Sequence, residues 1–315
     1  MKLEDLRKLS AQFPQQPTAE NYEAVQACLR SLGLDPENVY QELEMSNPYV
    51  QAHQDVSYSN AMVQLHSHTF YEVLCCRNTC GAEYLVGSER YRLQKGDIIL
   101  VPPGISHRPL LPETMPEPYL RDILWFSPEF ITLMEQLLPH HDRPSKELSS
   151  LLRTANTRWE NLAQQLRSAV TESERQRPGW EAAVMGMAMV FLTQMKRALS
   201  DKHATPMSAE KPDLLDNAMA FIEANLSEKI TLDDMAKHLY VSKSTVSQTF
   251  RNRMGVSFYR CLTQRRLIAA KSLIAENVPM EEISHRVGFS DYSSFYRAFR
   301  QEYGICPQQY RTIQK

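Results

Sequence analysis

Two groups of side chains in this sequence have types and spacings that could do chemistry. The first begins with His66-Ser67-His68-x3-Glu72. If that stretch opens a strand, side chains alternate at period two, so His66, His68, Phe70, Glu72 and Leu74 share one face. Downstream comes Gly96-x5-Pro102-x-Gly104-x2-His107, whose Gly and Pro elements make tight turns that return His107 toward the first strand. Polar groups gathered inside a β-structure can hydrogen-bond a sugar or an organic acid. The second group lies on two helices near the C-terminus. One exposes Lys243, Ser244, Thr245, Ser247, Gln248 and Arg251, with Arg253 near its end. The other exposes Tyr292, Ser293, Ser294, Tyr296 and Arg297, then Arg300. Polar side chains early in a helix suit base edges, and Arg297 is the best placed for a bidentate contact with guanine. Arg251, Arg253 and Arg300 suit phosphates, which position a protein but carry no sequence information.

The elements that present the second group are duplicated. Leu232-x2-Met235-Ala236-x2-Leu239-x-Val241-Ser242 returns as Met280-x2-Ile283-Ser284-x2-Val287-x-Phe289-Ser290, 48 positions later. Val246-x3-Phe250-Arg251-x3-Gly255 returns as Phe295-x3-Phe299-Arg300-x3-Gly304, 49 positions later. Such a period marks a repeated supersecondary unit. Each copy reads as helix, tight turn, helix, a motif that places its second helix in a DNA groove. Thr231, Ser242 and Asp291 are N-caps, and Gly255 is a left-handed helix end. Gly288 supplies the second turn, where the first copy has Tyr240, a less comfortable residue for it. Residues 258–276 between the copies carry Leu262, Arg266, Ala269, Ala270 and Leu273 at helical spacing. They form a rod of roughly 28 Å at ~1.5 Å per residue, near the ~34 Å of one DNA turn. Two unequal readers at that spacing predict a bipartite, non-palindromic site.

The rest of the chain has a different character. Residues 1–60 read as a mostly helical extension, with Asp35-Pro36-Glu37 as a helix start. Short strands follow at 63–65, 71–76, 83–86, 91–93 and 98–101, with another around 122–126, which predicts a sandwich or barrel. Helices are expected near 148–171 and 179–199. The second is apolar on more than one side and reads as a core helix or a self-association helix. Residues 201–213 have linker composition, leaving 61–200 as the β domain and 214–315 as the helical domain. The fold class is therefore α+β, followed by an all-α domain of two helix-turn-helix subdomains joined by a long helix.

Bulk numbers agree with this division. The chain has 315 residues, 43% hydrophobic and 23% charged, with a net charge of −2. From Asp213 onward 14 Lys and Arg oppose 11 Asp and Glu, a balance of +3, so the remainder carries −5. A mildly basic end on an acidic remainder fits DNA binding by that end. No run approaches 18 apolar residues, and the N-terminus lacks a signal-peptide core. Both point to a cytoplasmic protein without a membrane partner. Cys75-Cys76-x3-Cys80 reads as a strand and its turn, the alternative being a metal or redox site. His140-His141-Asp142, between prolines, reads as a solvated turn.

The repeat resembles the C-terminal signature of the AraC/XylS family of bacterial transcription regulators over about residues 214–312. Matching residues are Ala236, Ser242, Phe250, Gly255, Arg266, Ala270, Ile283, Gly288, Phe289, Phe295, Arg297, Phe299, Gly304 and Pro307. The resemblance implies that both second helices read double-stranded promoter DNA, with Ser244, Thr245, Ser247, Gln248, Tyr292, Ser293, Ser294 and Arg297 facing bases. It also implies activation through RNA polymerase, a homodimer, and an N-terminal domain that binds a small-molecule effector, a sugar being the commonest. The chain departs from the family at Cys306, where Ser or Thr usually precedes the Pro, and has small residues at Ser244 and Ser247.

The spacings around His66 and His107 resemble the two motifs of the cupin barrel, in which matching residues bind a divalent metal as three His and one Glu. Carried over, His66, His68, Glu72 and His107 are metal ligands suited to Fe, Mn, Ni or Zn. Leu111 stands where the second motif has Asn. Sensor barrels of AraC-like regulators resemble the same pattern and use it for an organic effector. On that reading the four residues line an effector pocket and no cofactor is needed. The reading adopted is a non-enzymatic, effector-responsive regulator. Its rivals are a metal-dependent cupin enzyme fused to a DNA-binding module and a ligand-independent regulator whose barrel only dimerises.

Overall fold

The computed structural model describes residues 45, 47–57, 65–112, 114–137, 151–201, 206–207 and 212–313. Two compact units emerge, one of Asn47–Asn225 with Ile230–Leu262, the other of Leu226–Lys229 with Thr263–Lys315.

Among the described residues, the first unit contains nine strands: β1 (Val50–Ser57), β2 (Tyr71–Cys76), β3 (Glu83–Val86), β4 (Glu89–Arg92), β5 (Asp97–Val101), β6 (His107–Leu110), β7 (Tyr119–Phe126), β8 (Leu151–Arg153) and β9 (Pro206–Met207). They form a six-stranded sheet in the order β1-β7-β2-β5-β8-β9 and a three-stranded sheet in the order β4-β3-β6. All ladders are antiparallel. An isolated bridge from His66 to His107 lies outside the named strands. The α+β class holds, but these strands do not close into the cupin-like barrel expected from the motifs. They remain two sheets.

Every residue of β2 is buried, so both faces of the large sheet are covered. On one face Tyr71, Val73, Cys75, Ile98, Leu100, Leu124 and Phe126 pack against three helices, α1 (Pro128–Leu137), α2 (Asn161–Arg175) and α3 (Trp180–Leu199). Helix α2 gives Leu162, Leu166 and Val170, and α3 gives Val184, Ala188, Phe191, Leu192 and Met195. The α3 stripe is thus a core face. Cys75 and Cys76 lie on β2 as strand residues, where burial pushes both thiols up, Cys76 to about 12.

Several sequence expectations need correction. Residues 50–57, assigned to a helical extension, form β1 and pair along their whole length with β7. Residues 151–153, expected in a helix, are strand β8, because they pair with β5 and Arg153 bonds Asp97. Residues 107–110 form β6, unforeseen because Pro109 reads as a strand breaker. Residues 206 and 207 of the expected linker pair with β8. The expected strand at 63–65 lies outside the described residues except Leu65, and His140, His141 and Asp142 lie wholly outside them.

Helices complete both units: α4 (Leu214–Ala224), α5 (Leu232–His238), α6 (Lys243–Thr249), α7 (Phe258–Ala275), α8 (Met280–Arg286), α9 (Tyr292–Tyr303) and α10 (Pro307–Ile313). Helix α6 continues as a wider π turn over Phe250–Met254. Buried Phe295, Phe299, Ile283, Val287, Leu267, Ala270, Ile274 and Tyr310 form the second unit's core.

Candidate nucleic-acid interface and polar interior

The first copy of the repeat is built by its caps. The Thr231 side chain accepts from the Asp234 backbone N–H while the Asp234 carboxylate accepts from the Thr231 N–H, a reciprocal capping box that starts α5. Ser242 accepts from the Thr245 N–H and starts α6. Val246, Phe250 and Met254 turn inward, leaving Lys243, Ser244, Thr245, Gln248 and Arg251 exposed and Ser247 half-buried. Two of these are already engaged locally, as the Ser244 and Thr245 hydroxyls lie 2.7 and 2.8 Å from Ser242 Oγ. Lys243 pairs with Asp233 at 2.8 Å. Tyr240 occupies the turn at φ 55° and is 95% exposed.

Arg253 behaves differently from its neighbours. It was expected on a phosphate, yet it donates to Glu83 Oε2 at 2.7 Å and Asp213 Oδ2 at 3.2 Å. Two carboxylates engage its guanidinium in this structure. Arg251, two residues earlier, is exposed.

The second copy, in the other unit, repeats the plan. Asp291 accepts from the Ser294 N–H at 2.7 Å and caps α9. Phe295 and Phe299 are fully buried. Ser293, Arg297 and Arg300 are exposed, and Tyr292, Ser294 and Tyr296 are half-buried. Gly288 has φ +80°, and an added Cβ would collide with the Leu226 carbonyl oxygen and sit 2.7 Å from an Arg266 nitrogen. Arg266 donates to the Leu226 and Glu228 carbonyls, so its role is to tie the segment before α5 to α7.

A second polar site faces away from the helices in the first unit. Alternation puts Glu72 of β2 beside Trp125 of β7. Trp125 Nε1 donates to Glu72 Oε2 at 2.9 Å, and the Tyr84 hydroxyl reaches Oε1 at 3.5 Å. His68 Nδ1 lies 2.7 Å from the Phe70 carbonyl and His107 Nδ1 2.8 Å from the Ile105 carbonyl. A carbonyl can only accept, so each Nδ1 carries a hydrogen and each Nε2 is left to face Glu72. The His68 Nε2 lies 3.2 Å from Oε2 and the His107 Nε2 3.8 Å. The latter is buried without a hydrogen bond. Burial opposes charge on Glu72, but the flanking His107 and His68 imidazoles outweigh it and hold its carboxyl well below the usual range. Burial lowers His68.

Ligand atoms of His66, Glu72 and His107 lie within 4.8 Å of one another. His68 is outside that grouping and serves Glu72 as a hydrogen-bond partner. Two imidazoles and a carboxylate fit a divalent transition ion, and a backbone carbonyl behind the His107 ring is the outer support such ligands use. The same face of β7 adds Tyr119 and Arg121. Arg121 donates to Ser57 and Asp55 at 2.8 and 2.9 Å, while the buried Tyr119 hydroxyl has no hydrogen-bond partner among the described residues.

Residues 235–313 match the family model of a helix-turn-helix domain. The HTH-type transcriptional activator RhaS of Salmonella arizonae is 25% identical over 256 residues, covering 78% of this chain and 86% of its own. The regulatory protein PocR of Salmonella typhimurium is 34% identical over 95 residues, 30% of this chain and 31% of its own. These matches support an AraC-type transcription regulator with a helix-turn-helix DNA-binding region. Among solved structures, the C-terminal domain of AraT, a response regulator from Geobacillus stearothermophilus, is 31% identical, covering 32% of this chain and 86% of its own, with a TM-score of 0.32.

For an AraC-type regulator the capped pairs of helices are the DNA-binding elements. Sequence reasoning found them through the caps and the buried Phe positions. It missed Tyr84, Trp125, Tyr119 and Arg121 in the polar interior. The signal was present as alternation, since Tyr119, Arg121, Ile123 and Trp125 fall on one face of β7, but that strand was expected only from residue 122. No helix of the described residues is long and apolar enough to cross a membrane.

Proposed function

We propose that this AraC-type regulator is a cytoplasmic activator that reads a bipartite promoter site and responds to a small molecule held by its polar interior. The observation that carries the DNA-reading part is the repetition of an exposed polar helix face behind a side-chain cap. In the first copy that face is Lys243, Ser244, Thr245, Ser247, Gln248 and Arg251. In the second it is Tyr292, Ser293, Ser294, Tyr296, Arg297 and Arg300. Arg297 reads guanine, and Arg251 and Arg300 hold phosphates. The two faces differ, so the site is directional. RNA polymerase is the downstream partner, and a second copy of the chain associates along α3, where Val190 is 52% exposed.

His66, His68, Glu72 and His107 are the effector-binding residues, with Tyr84 and Trp125 beside them. A buried carboxylate flanked by imidazole, indole and phenol groups suits a hydroxylated ligand such as a sugar derivative. If the occupant is a divalent metal, His66, Glu72 and His107 hold it and His68 orients Glu72. In either case the interior senses and does not turn over substrate.

Selection of duplexes from a random pool by the full chain, followed by footprinting, tests the DNA part. Two unlike protected elements about one helical turn apart are expected; a single short palindrome would overturn it. Thermal-shift titration with sugars, organic acids and divalent metals tests the sensing part, because a ligand that binds only the folded state raises the melting temperature. Stabilisation that disappears in Glu72→Gln is expected.

A further inference from the structure

We propose that the three-stranded sheet β4-β3-β6 is a latch that holds the first helix-turn-helix unit in a DNA-restrained state. The case starts from register. Leu85 lies opposite both Arg90 and Arg108, and Tyr84 lies opposite Tyr91 and Pro109, while Val86 lies opposite His107. By alternation Tyr84, Val86 and His107 share one face, and Glu83, Leu85, Arg90 and Arg108 share the other. The first face supplies the polar interior, where the Tyr84 hydroxyl reaches Glu72 and His107 Nε2 points at the same carboxylate.

The second face grips the helical region of the same unit. Arg90 donates from Nε to Asp216 Oδ1 and Oδ2 at 3.3 and 3.2 Å and from a terminal nitrogen to Glu83 Oε1 at 2.7 Å. It also pairs with Asp213 at 3.0 Å. Arg253, in the turn that ends the recognition helix, bonds Glu83 Oε2 at 2.7 Å and Asp213 Oδ2 at 3.2 Å. Arg90, Glu83, Arg253 and Asp213 therefore close a ring of alternating charge. Beside it, the buried Arg108 donates to the Met254 carbonyl at 2.6 Å, satisfying a carbonyl at the end of that helix.

Three features make this a switch rather than a static packing contact. The sheet side of the ring is shielded, with the Arg90 and Glu83 side chains only 9% and 14% exposed, while Arg253 and Asp213, at 36% and 33%, stay accessible to a competing anion. Asp213 and Asp216 are also the two members of the capping box that starts α4, so the latch seizes the entry to the DNA-binding region. Finally, Arg253 cannot serve two carboxylates and a DNA phosphate at once. DNA and the sheet compete for it. Consecutive residues, Glu83 with Tyr84 and His107 with Arg108, connect the latch to the polar interior through one strand thickness, so a ligand that moves Tyr84 or His107 must move a latch residue. This link to a ligand rests on the sensing role proposed above; the restraint itself does not.

The test uses the full chain, without added small molecule, and a duplex enriched from a random pool by that chain. Glu83→Gln and Arg90→Met both open the ring from the sheet side without touching a DNA-facing residue. Each is expected to bind the duplex roughly 5- to 50-fold more tightly than the parent, the range of a typical coupling between sites. Unchanged or weaker binding by variants that melt cooperatively overturns the latch. Hydrogen exchange on the unmodified chain is the check that needs no variant. Amides of Leu214–Ala224 should exchange faster when the duplex is bound, and no acceleration also overturns it. Failure of the parent to enrich any duplex would instead sink the DNA-reading role, leaving the two outcomes distinct.

Discussion

The two copies of the repeat share a core and differ in what holds them. Phe250 and Phe299 occupy matching positions and are both fully buried, and Ser242 and Asp291 cap the helices that carry them. The turns diverge. Tyr240 takes a left-handed conformation with its side chain in solvent, whereas Gly288 is pressed against a backbone carbonyl that leaves no room for a Cβ. The ends diverge too. The first recognition helix finishes in a π turn whose Arg253 and Met254 are held by the sheet, while the second runs regularly to Tyr303 and a left-handed Gly304. Duplication preserved the helix pair and freed its margins. One copy is linked to the three-stranded sheet, and the other has a close-packed turn around Arg266.

The comparison can be broken at four points. Phe250→Ala and Phe299→Ala should each cost about 3–5 kcal/mol by thermal or denaturant unfolding, since both remove a large buried ring. A loss below about 1 kcal/mol in either would end the equivalence of the cores. Gly288→Ala should cost about 2–4 kcal/mol through its collision and its positive φ, while Tyr240→Gly should stay within about 1 kcal/mol of the parent. Similar responses at the two turns would show that the close packing at Gly288 does not separate them. Arg297→Ala should weaken binding to the selected duplex by about 1–3 kcal/mol and relax preference at one base pair; an unchanged footprint and affinity would remove it from the base-reading set. The smallest effect is expected from Arg251→Ala, a uniform weakening across sequences with the salt slope reduced by about one. A loss confined to the selected site would make Arg251 a base reader instead.

Much of the helical half was legible because its determinants are local. A cap needs only a Ser, Thr or Asp and the amides three residues on, and a helix core needs only apolar residues at the helical period. The strands were harder to place. β2 was expected at 71–76, where it lies, but β6 carries a proline that hides it. Residues 50–57 alternate too weakly to stand apart from the segment before them, and become a strand because β7 offers a full antiparallel ladder. The His66–Glu72 spacing predicted a cluster, yet not that Trp125, Tyr84 and the carbonyls of Phe70 and Ile105 would orient it.

By itself the sequence determined that there are two reading helices, where each begins, and which side chains each turns outward. Those properties depend on neighbours within one or two turns. Only the tertiary fold shows which of two neighbouring arginines is drawn onto a pair of carboxylates. Arg251 and Arg253 sit two residues apart in similar surroundings, and what separates them is Glu83, 170 positions from Arg253. Ion pairing between distant residues leaves no periodic trace in a chain, because a charge near a helix end reads the same whether a phosphate or a carboxylate awaits it.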